Sequence, residues 1–394
     1  MEEGSMKTYD SQLQKMEWEK LKLQKLEKTE VLSTRKLWEE VFSEDSREFV
    51  DYYYSNKALE NTAFVLKDRE EIISMLHLTP YQAVLRALQR KEGNVSYIVG
   101  VATKETWRHK GCMRKLLCEA FLELYKRKEP FAFLMPADPD IYRPFSFEYI
   151  YERKEYSLHG GKLSEEKLVW LADDNSRSLS LQDNQGESCT IRLANDNDIG
   201  KLASFAQAVS EEQCDFYLNH TEQYFKVLIK ETESQKGGIF LFERQEKLSA
   251  YAVCALDGKA PFFQELLYEE EEKPLVEMLF LEQERKKPVI MARVMHTETM
   301  LSMLESQVEK ELILEIEDKD IPANEGVFLW KSGKGYSRAD RLAVKENTEM
   351  KVRIKASIGE LTKQIFTGSC GNPALEEAWQ GVCVYDKGNI NEIV

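Results

Sequence analysis

One stretch constrains the chain more than any other. The apolar run Ser96-Tyr97-Ile98-Val99-Gly100-Val101-Ala102-Thr103 is followed by Arg108-His109-Lys110-Gly111-Cys112-Met113 and then by the segment Arg114 to Tyr125. In that last segment Leu116, Leu117, Ala120, Phe121 and Leu124 recur at helical spacing. A strand therefore runs into a basic, glycine-bearing turn, and the turn opens an amphipathic helix that needs a sheet to pack on. Helix starts leave backbone N–H groups unpaired and carry partial positive charge, which suits a pyrophosphate. Gly111 would let the backbone approach those phosphates, and Arg108, His109, Lys110 and Arg114 surround it with cations. A solvated basic helix start would also satisfy an Arg-x-x-Gly tetrapeptide. The stretch is neither a P-loop, since the Gly-Lys-Ser/Thr ending is absent, nor a GxGxxG dinucleotide turn.

The rest of the composition sets limits. With 394 residues, 42% hydrophobic and 31% charged, the sequence predicts two or three domains with real cores. No run approaches the ~18 apolar residues of a membrane helix. Met1-Glu2-Glu3-Gly4-Ser5 opens acidic without the apolar stretch of a secretory signal. Seven cysteines, scattered and without a CxxC pair, fit a reducing compartment, so the expectation is cytoplasmic. His77, His159, His220 and His296 show no metal spacing, so no metal is expected. The net charge of −15 disfavours nucleic-acid phosphates and would steer cationic partners, although solubility alone explains acidity in many proteins.

Along the chain, residues 7–30 predict a charged helix, and 34–54 a helical region broken at Ser43-Glu44-Asp45-Ser46. Ala63–Leu66 and Glu71–Leu78 read as a hairpin, and 81–90 as a short helix or structured loop. Phe131–Met135 is a buried strand, 141–145 a helical turn and 149–158 a further strand. The polar tract 171–188 reads as a linker or long turn. A strand at 190–193, a helix at 196–208 and a hairpin of 237–242 with 248–255 follow, then an acidic turn and helix at 265–280. Beyond Pro288 come a strand at 291–295, a helix at 297–308, a hairpin of 312–317 with 326–331, and helices at 358–366 and 373–379. Trp330 and Trp379 read as core anchors. The chain ends Gly388-Asn389-Ile390-Asn391-Glu392-Ile393-Val394 without a charged tail, which predicts a buried terminus.

The strand, Arg-x-x-Gly turn and helix resemble motif A of the GNAT acetyltransferases, with Met113 where that motif has Gly or Ala. Ile141-Tyr142-Arg143-Pro144-Phe145-Ser146-Phe147 is similar to the Ile-Tyr-x-x-Phe-Gly-Phe/Tyr segment of the Eis (enhanced intracellular survival) family. Met291-Ala292-Arg293-Val294-Met295 and the terminal Ile-Asn-Glu-Ile-Val resemble it too. The resemblance covers roughly residues 31–394. It implies an α/β (α+β) chain of two tandem GNAT-like domains with mixed central sheets plus a C-terminal sterol-carrier-protein-like domain. The boundaries would be a helical N-terminal extension at 1–30, a catalytic GNAT domain at 31–160, a degenerate second one at 161–286, and the last domain at 287–394.

The resemblance further implies acetyl-CoA as cosubstrate, held by Arg108, His109, Lys110, Gly111, Cys112 and Met113 and by the strand positions Val101, Ala102 and Thr103. It gives Tyr142 the role of proton donor, a task open to a phenol of pKa ~10. The Val394 carboxylate would act as base towards a cationic amine, and Glu44 would contribute to an acidic acceptor pocket. Glu39, Glu40, Asp45 and Asp51 border the same region, where a solvated helix face is the simpler reading. The implied reaction is direct acetyl transfer to aminoglycoside-like, polyamine or lysine-type amines by a homo-oligomer, hexameric in the family, without nucleic-acid or membrane partners. A non-catalytic acyl-CoA sensor, or a hydrophobic-ligand carrier acting through the last domain, are the alternatives.

Overall fold

The computed structural model describes residues 20–258, 260–283, 287–343 and 353–390. It divides into two compact units, one holding the described residues up to Pro80 with Tyr97–Arg127, the other Tyr81–Ser96 with the chain from Lys128.

The first unit is built on β1 (Leu21–Lys25), β2 (Thr62–Asp68), β3 (Glu71–Arg86) as far as Pro80 and β4 (Arg90–Thr103) from Tyr97 on, neighbours in that order. β2 and β3 form the expected hairpin, with Phe64 opposite Leu76 and Arg69 turning the corner at φ 54°. The helix expected over 7–30 is corrected by β1, which pairs antiparallel with β2 from Leu21↔Asp68 to Lys25↔Phe64. The Leu-Lys-Leu-Gln-Lys sequence prefers a helix in isolation, but the exposed edge of β2 offers it a full ladder and tertiary pairing prevails. Residues 7–19 lie outside the described residues. α1 (Arg35–Val41) and α2 (Arg47–Tyr52) flank the predicted break, where the Ser46 hydroxyl caps α2 by accepting from Phe49 N at 3.1 Å. α3 (Cys112–Lys126) buries Leu116, Leu117, Ala120, Phe121 and Leu124, the stripe its spacing predicts.

Under the sheet lies a polar knot made of aromatic residues. His77 Nδ1 meets the Tyr53 hydroxyl at 3.0 Å, and its Nε2 meets Thr34 Oγ1 at 3.1 Å. Thr34 in turn contacts the Tyr54 hydroxyl at 3.0 Å, and Asn61 donates to Tyr53 at 3.0 Å. Burial pulls the His77 pKa down to about 3, so the imidazole is neutral. Trp38 stacks beside it, 4.3 Å from the Tyr53 ring, and presses on Gly100 of β4. Gly100 adopts φ 60°, and a Cβ there would lie 2.6 Å from the Trp38 ring, so only glycine fits this kink.

The second unit continues with β5 (Phe131–Leu134), β6 (Glu148–Arg153), β7 (Tyr156–Leu158), α4 (Glu165–Ala172), β8 (Ser178–Gln182) and β9 (Ser188–Leu193). Next come α5 (Ile199–Gln213), β10 (Phe216–Leu218), α6 (Glu222–Ser234), β11 (Gly238–Arg244), β12 (Lys247–Ala255) and β13 (Phe262–Tyr268). β13-β12-β11-β9-β8 form an antiparallel sheet covered on both faces. Phe240 and Phe242 pack with Leu168 and Leu171 of α4, while Ile239 and Leu241 pack with Leu202 of α5 and Phe225 of α6. That division is the period of two of a strand buried on both sides. Two expectations change here. The tract 171–188 is not a plain linker, because Leu179 and Leu181 of β8 pack into the core. The stretch 265–280 begins as strand β13, paired with β12, before α7 (Lys273–Leu279) starts.

β14 (Phe280–Glu282) pairs with β7, and β15 (Lys287–Val294) lies between β5 and β6, antiparallel to both. After α8 (Thr297–Met303), β16 (Lys310–Glu317) and β17 (Gly326–Gly333) make the expected hairpin, flanked by β18 (Tyr336–Arg341) and β19 (Ile354–Ser357). α9 (Ile358–Thr367) ends in the left-handed Gly368, and α10 (Pro373–Ala378) leads to Trp379, stacked 5.2 Å from Trp330. β20 (Gly388–Asn389) pairs with β10, whose other edge pairs with Ala83-Val84-Leu85 of β3. Residues 81–90 are therefore the end of β3 and the start of β4 rather than a helix or loop. Among the described residues no helix is long and apolar enough to cross a membrane.

Candidate active site

The Arg108–Met113 turn takes a form that sequence alone foreshadows. Lys104 to Trp107 tighten into a 3₁₀ turn, and the backbone then adopts positive φ at His109 (60°) and again at Gly111 (82°). Alternation of φ sign curls peptide N–H groups into an anion-binding concavity, and Gly111 is also the N-cap of α3. Arg108 and His109 are exposed, while Cys112 is buried at the first helical position. Lys110 Nζ sits 4.8 Å over the Trp107 ring, which holds that cation beside the turn. Burial pushes the Cys112 thiol up, so it packs as a neutral group rather than a nucleophile. The geometry fits a pyrophosphate.

The strand leading into the turn is partly occupied by its own neighbours. The Ala102 carbonyl accepts from the Ser74 hydroxyl at 3.0 Å, and Ser74 also meets Thr103 Oγ1 at 2.8 Å. The Thr103 carbonyl accepts from Arg108 Nε at 3.2 Å, so Arg108 bridges strand and turn. Val101 is half-buried just beyond the Gly100 kink. Lys104, though close in sequence, is engaged by Glu40 and Glu71.

Of the acidic residues around α1 and α2, most are already neutralised. Glu39 and Asp51 both pair with Arg35, and Glu40 with Lys104. Asp45 accepts from Trp38 Nε1 at 2.8 Å, and burial raises its pKa. Glu44 is exposed and has no cationic partner among the described residues. Sequence reasoning singled out Glu44 and left Asp45 among the bordering acids of a solvated face, because its link to the Trp38 indole could not be read from spacing.

Tyr142 belongs to the second unit. It joins two 3₁₀ turns, Pro139–Ile141 and Arg143–Phe145, between β5 and β6. Asp138 caps the first turn by accepting from Asp140 N at 2.9 Å, and Pro139 and Pro144 fix φ at the first or second position of each. The Tyr142 carbonyl accepts from Phe145 N at 2.9 Å, and its ring meets Phe147 edge-on at 6.1 Å. The side chain is 9% exposed, yet no described residue pairs with its hydroxyl. Burial alone pushes its pKa up to about 12, so the phenol stays protonated and available as a donor.

What holds this turn was missed in the sequence. Arg293 of β15, wholly buried, donates from Nε to the Phe145 carbonyl at 2.9 Å and pairs with Asp318. The Asp318 carboxylate is itself wholly buried and also accepts from Ile321 N (3.0 Å) and Asn324 Nδ2 (3.1 Å). A single arginine inside the apolar run Met291–Met295 was the available signal, since a buried charge must be paired. Val394 lies outside the described residues; Asn389 and Ile390 are buried, with Asn389 Nδ2 donating to Glu265 at 2.9 Å, while Asp386 and Lys387 just before them are exposed. Among the described residues no group of His, Cys, Asp or Glu could hold a metal ion.

Residues 22–150 match the family model described as acetyltransferase (GNAT) domain. Three solved structures are similar to nearly the whole chain at low identity. A probable N-acyltransferase from Enterococcus faecalis is 16% identical, with 92% of this chain and 97% of that one covered at TM-score 0.69. A GCN5-related N-acetyltransferase from Anabaena variabilis is 13% identical, with 95% and 100% covered at 0.68. Eis1 from Mycobacterium abscessus is 12% identical, with 94% and 98% covered at 0.63. No curated protein matches the sequence. At such identities the structural likeness speaks for the fold, which extends over nearly the full length of those chains.

Proposed function

We infer that the chain, whose residues 22–150 match the acetyltransferase (GNAT) domain, works as a GNAT-family N-acetyltransferase. We propose that it moves the acetyl group of acetyl-CoA directly to amines of cationic substrates, of aminoglycoside-like, polyamine or lysine type. The observation that carries this reading is the buried, protonated hydroxyl of Tyr142, which has no partner among the described residues. Acetyl-CoA supplies an activated thioester; the chain's residues bind, orient and manage protons. The Arg108–Met113 turn holds the pyrophosphate through backbone N–H groups and Arg108, with Val101, Ala102 and Thr103 along the adjacent strand.

Tyr142 donates a hydrogen bond to charge that develops at the sulfur or the carbonyl oxygen. Full transfer of its proton to a thiolate of pKa ~8.5 would be uphill by roughly 5 kcal/mol from a phenol at about 12. Its main contribution is thus electrostatic, and transfer completes as the cationic acceptor approaches and lowers its pKa. The Val394 carboxylate attracts the substrate ammonium and relays its proton through water, because direct abstraction by a carboxylate of pKa ~3.5 from an amine near ~10 is steeply unfavourable. Glu44, exposed and uncompensated, adds to that attraction, as does the net charge of −15.

The layout similar to Eis1 supports a second GNAT-like domain around the β8–β13 sheet and a sterol-carrier-protein-like domain after Lys287. We extend the same reading to a cytoplasmic homo-oligomer, hexameric as the family resemblance implies, which light scattering would check. The deciding test measures thiol release from acetyl-CoA with neomycin, spermidine and lysine peptides. Amine-dependent release supports the reading, and acetyl-CoA binding without release for any amine would turn it into a sensor.

A further inference from the structure

A cavity of ≈ 580 Å³ lies within the second unit, framed by β6, β13 and the 386–389 segment. That volume is within the range of small-molecule sites, roughly 300–1,000 Å³. Tyr149, Tyr151 and Arg153 alternate along one face of β6, and all three line it, with Tyr156 and Tyr268 adding further aromatic wall.

Arg153 is the unusual member. It is 92% buried by its 8% exposure, its Nε has no hydrogen-bond partner, and no carboxylate pairs with it among the described residues. Phe262 covers one face of the guanidinium at 5.0 Å, leaving its donor edge. The charge of Glu155 reaches it, but without an ion pair. Glu265, which also lines the cavity, accepts from Tyr251 Oη at one oxygen and Asn389 Nδ2 at the other, both at 2.9 Å. A buried arginine without a directly paired carboxylate is costly, and burial does pull its pKa down. Elsewhere in this unit the same residue type is answered: Arg192, Arg244 and Arg293 each have a carboxylate within 3 Å.

We propose that this cavity is a second ligand site, for a small monocarboxylate with an aromatic or apolar body, its carboxylate held by the Arg153 fork. A planar fork matches a carboxylate with two parallel hydrogen bonds. A dianionic phosphate is disfavoured because Glu152, Glu265 and Asp386 share the walls, and Lys154 is committed to Glu282 at 3.0 Å. The tyrosines supply amphipathic surface for the body of the molecule.

Calorimetry on the full chain, with CoA present to fill the other anion site, tests this with 4-phenylbutyrate, its neutral amide and phenyl phosphate. The expected result is saturable binding of the carboxylate, at least about tenfold weaker binding of the amide and of phenyl phosphate, and a similar loss for 4-phenylbutyrate in Arg153→Gln. Arg153→Lys, which keeps charge without the fork, should fall between. Absence of 4-phenylbutyrate binding, equal binding of acid and amide, tighter binding of phenyl phosphate, or unchanged binding in a folded Arg153→Gln would each overturn the proposal. Should Arg153→Gln fail to fold, the comparison of acid and amide on the native chain decides it. None of these readouts depends on acetyl transfer.

Discussion

The turn at Arg108–Met113 and the turn at Tyr142 are both short, glycine- or proline-shaped and central to the proposed chemistry, but they are held in opposite ways. The first is made by its own residues: Gly111 supplies the left-handed cap, α3 supplies the N–H groups, and Arg108 ties back five residues to Thr103. The second is capped locally by Asp138 but anchored by Arg293, 148 residues later in the chain. A binding element can be written into a few adjacent residues because backbone amides are its working parts. A side chain that must present a proton needs a rigid bed, and rigidity is built from distant contacts.

The largest effect should come from breaking the distant anchor. Arg293→Met strands Asp318 as an unpaired buried carboxylate and should cost about 3–5 kcal/mol in denaturant unfolding. It should also lower kcat through the loosened Tyr142 turn, while acetyl-CoA affinity changes little; equal losses in both would blur the contrast between the two turns. A second effect belongs to the knot beneath β4. His77 titrates at about 3 folded against ~6.5 unfolded, so its folded pKa is depressed and the folded state binds fewer protons. Stability is therefore full above pH ~6.5 and falls as pH drops towards 3, by roughly 2 kcal/mol at pH 5. Urea titrations of His77→Gln should show a flatter pH dependence over that window.

The local turn should break more gently. Gly111→Ala, at φ 82°, should cost about 1–2 kcal/mol and weaken acetyl-CoA binding about tenfold, without touching the Tyr142 turn. The smallest change is expected for Arg108→Ala, a few-fold loss of acetyl-CoA affinity that shrinks as salt rises, because this side chain is exposed. An affinity loss indifferent to salt would argue that Arg108 acts only by bridging Thr103.

The same contrast explains what the sequence discloses. Leu116 to Leu124 announce α3, and the alternation of 237–242 and 248–255 announces the β11–β12 hairpin, because both patterns are local. β1 escapes because Leu21–Lys25 has helical composition and becomes a strand only against the edge of β2. β10 is three residues long and exists through pairing with residues 83–85 and 388–389, far away in sequence. At the site, Tyr142 stands out by motif, whereas Asp45 gains its meaning from the Trp38 indole and Arg293 from the Phe145 carbonyl. Arg153 likewise looks like one more charged residue until its burial and missing partner are seen.

The most direct test of the division of labour is the kcat and acetyl-CoA dissociation constant of Tyr142→Phe, measured side by side with Gly111→Ala. Removing one hydroxyl should lower kcat by ~100-fold or more while leaving acetyl-CoA affinity within about twofold. Gly111→Ala should show the reverse, weakened affinity with kcat largely kept at saturation. Full kcat in Tyr142→Phe, or a loss confined to acetyl-CoA binding, would contradict the account.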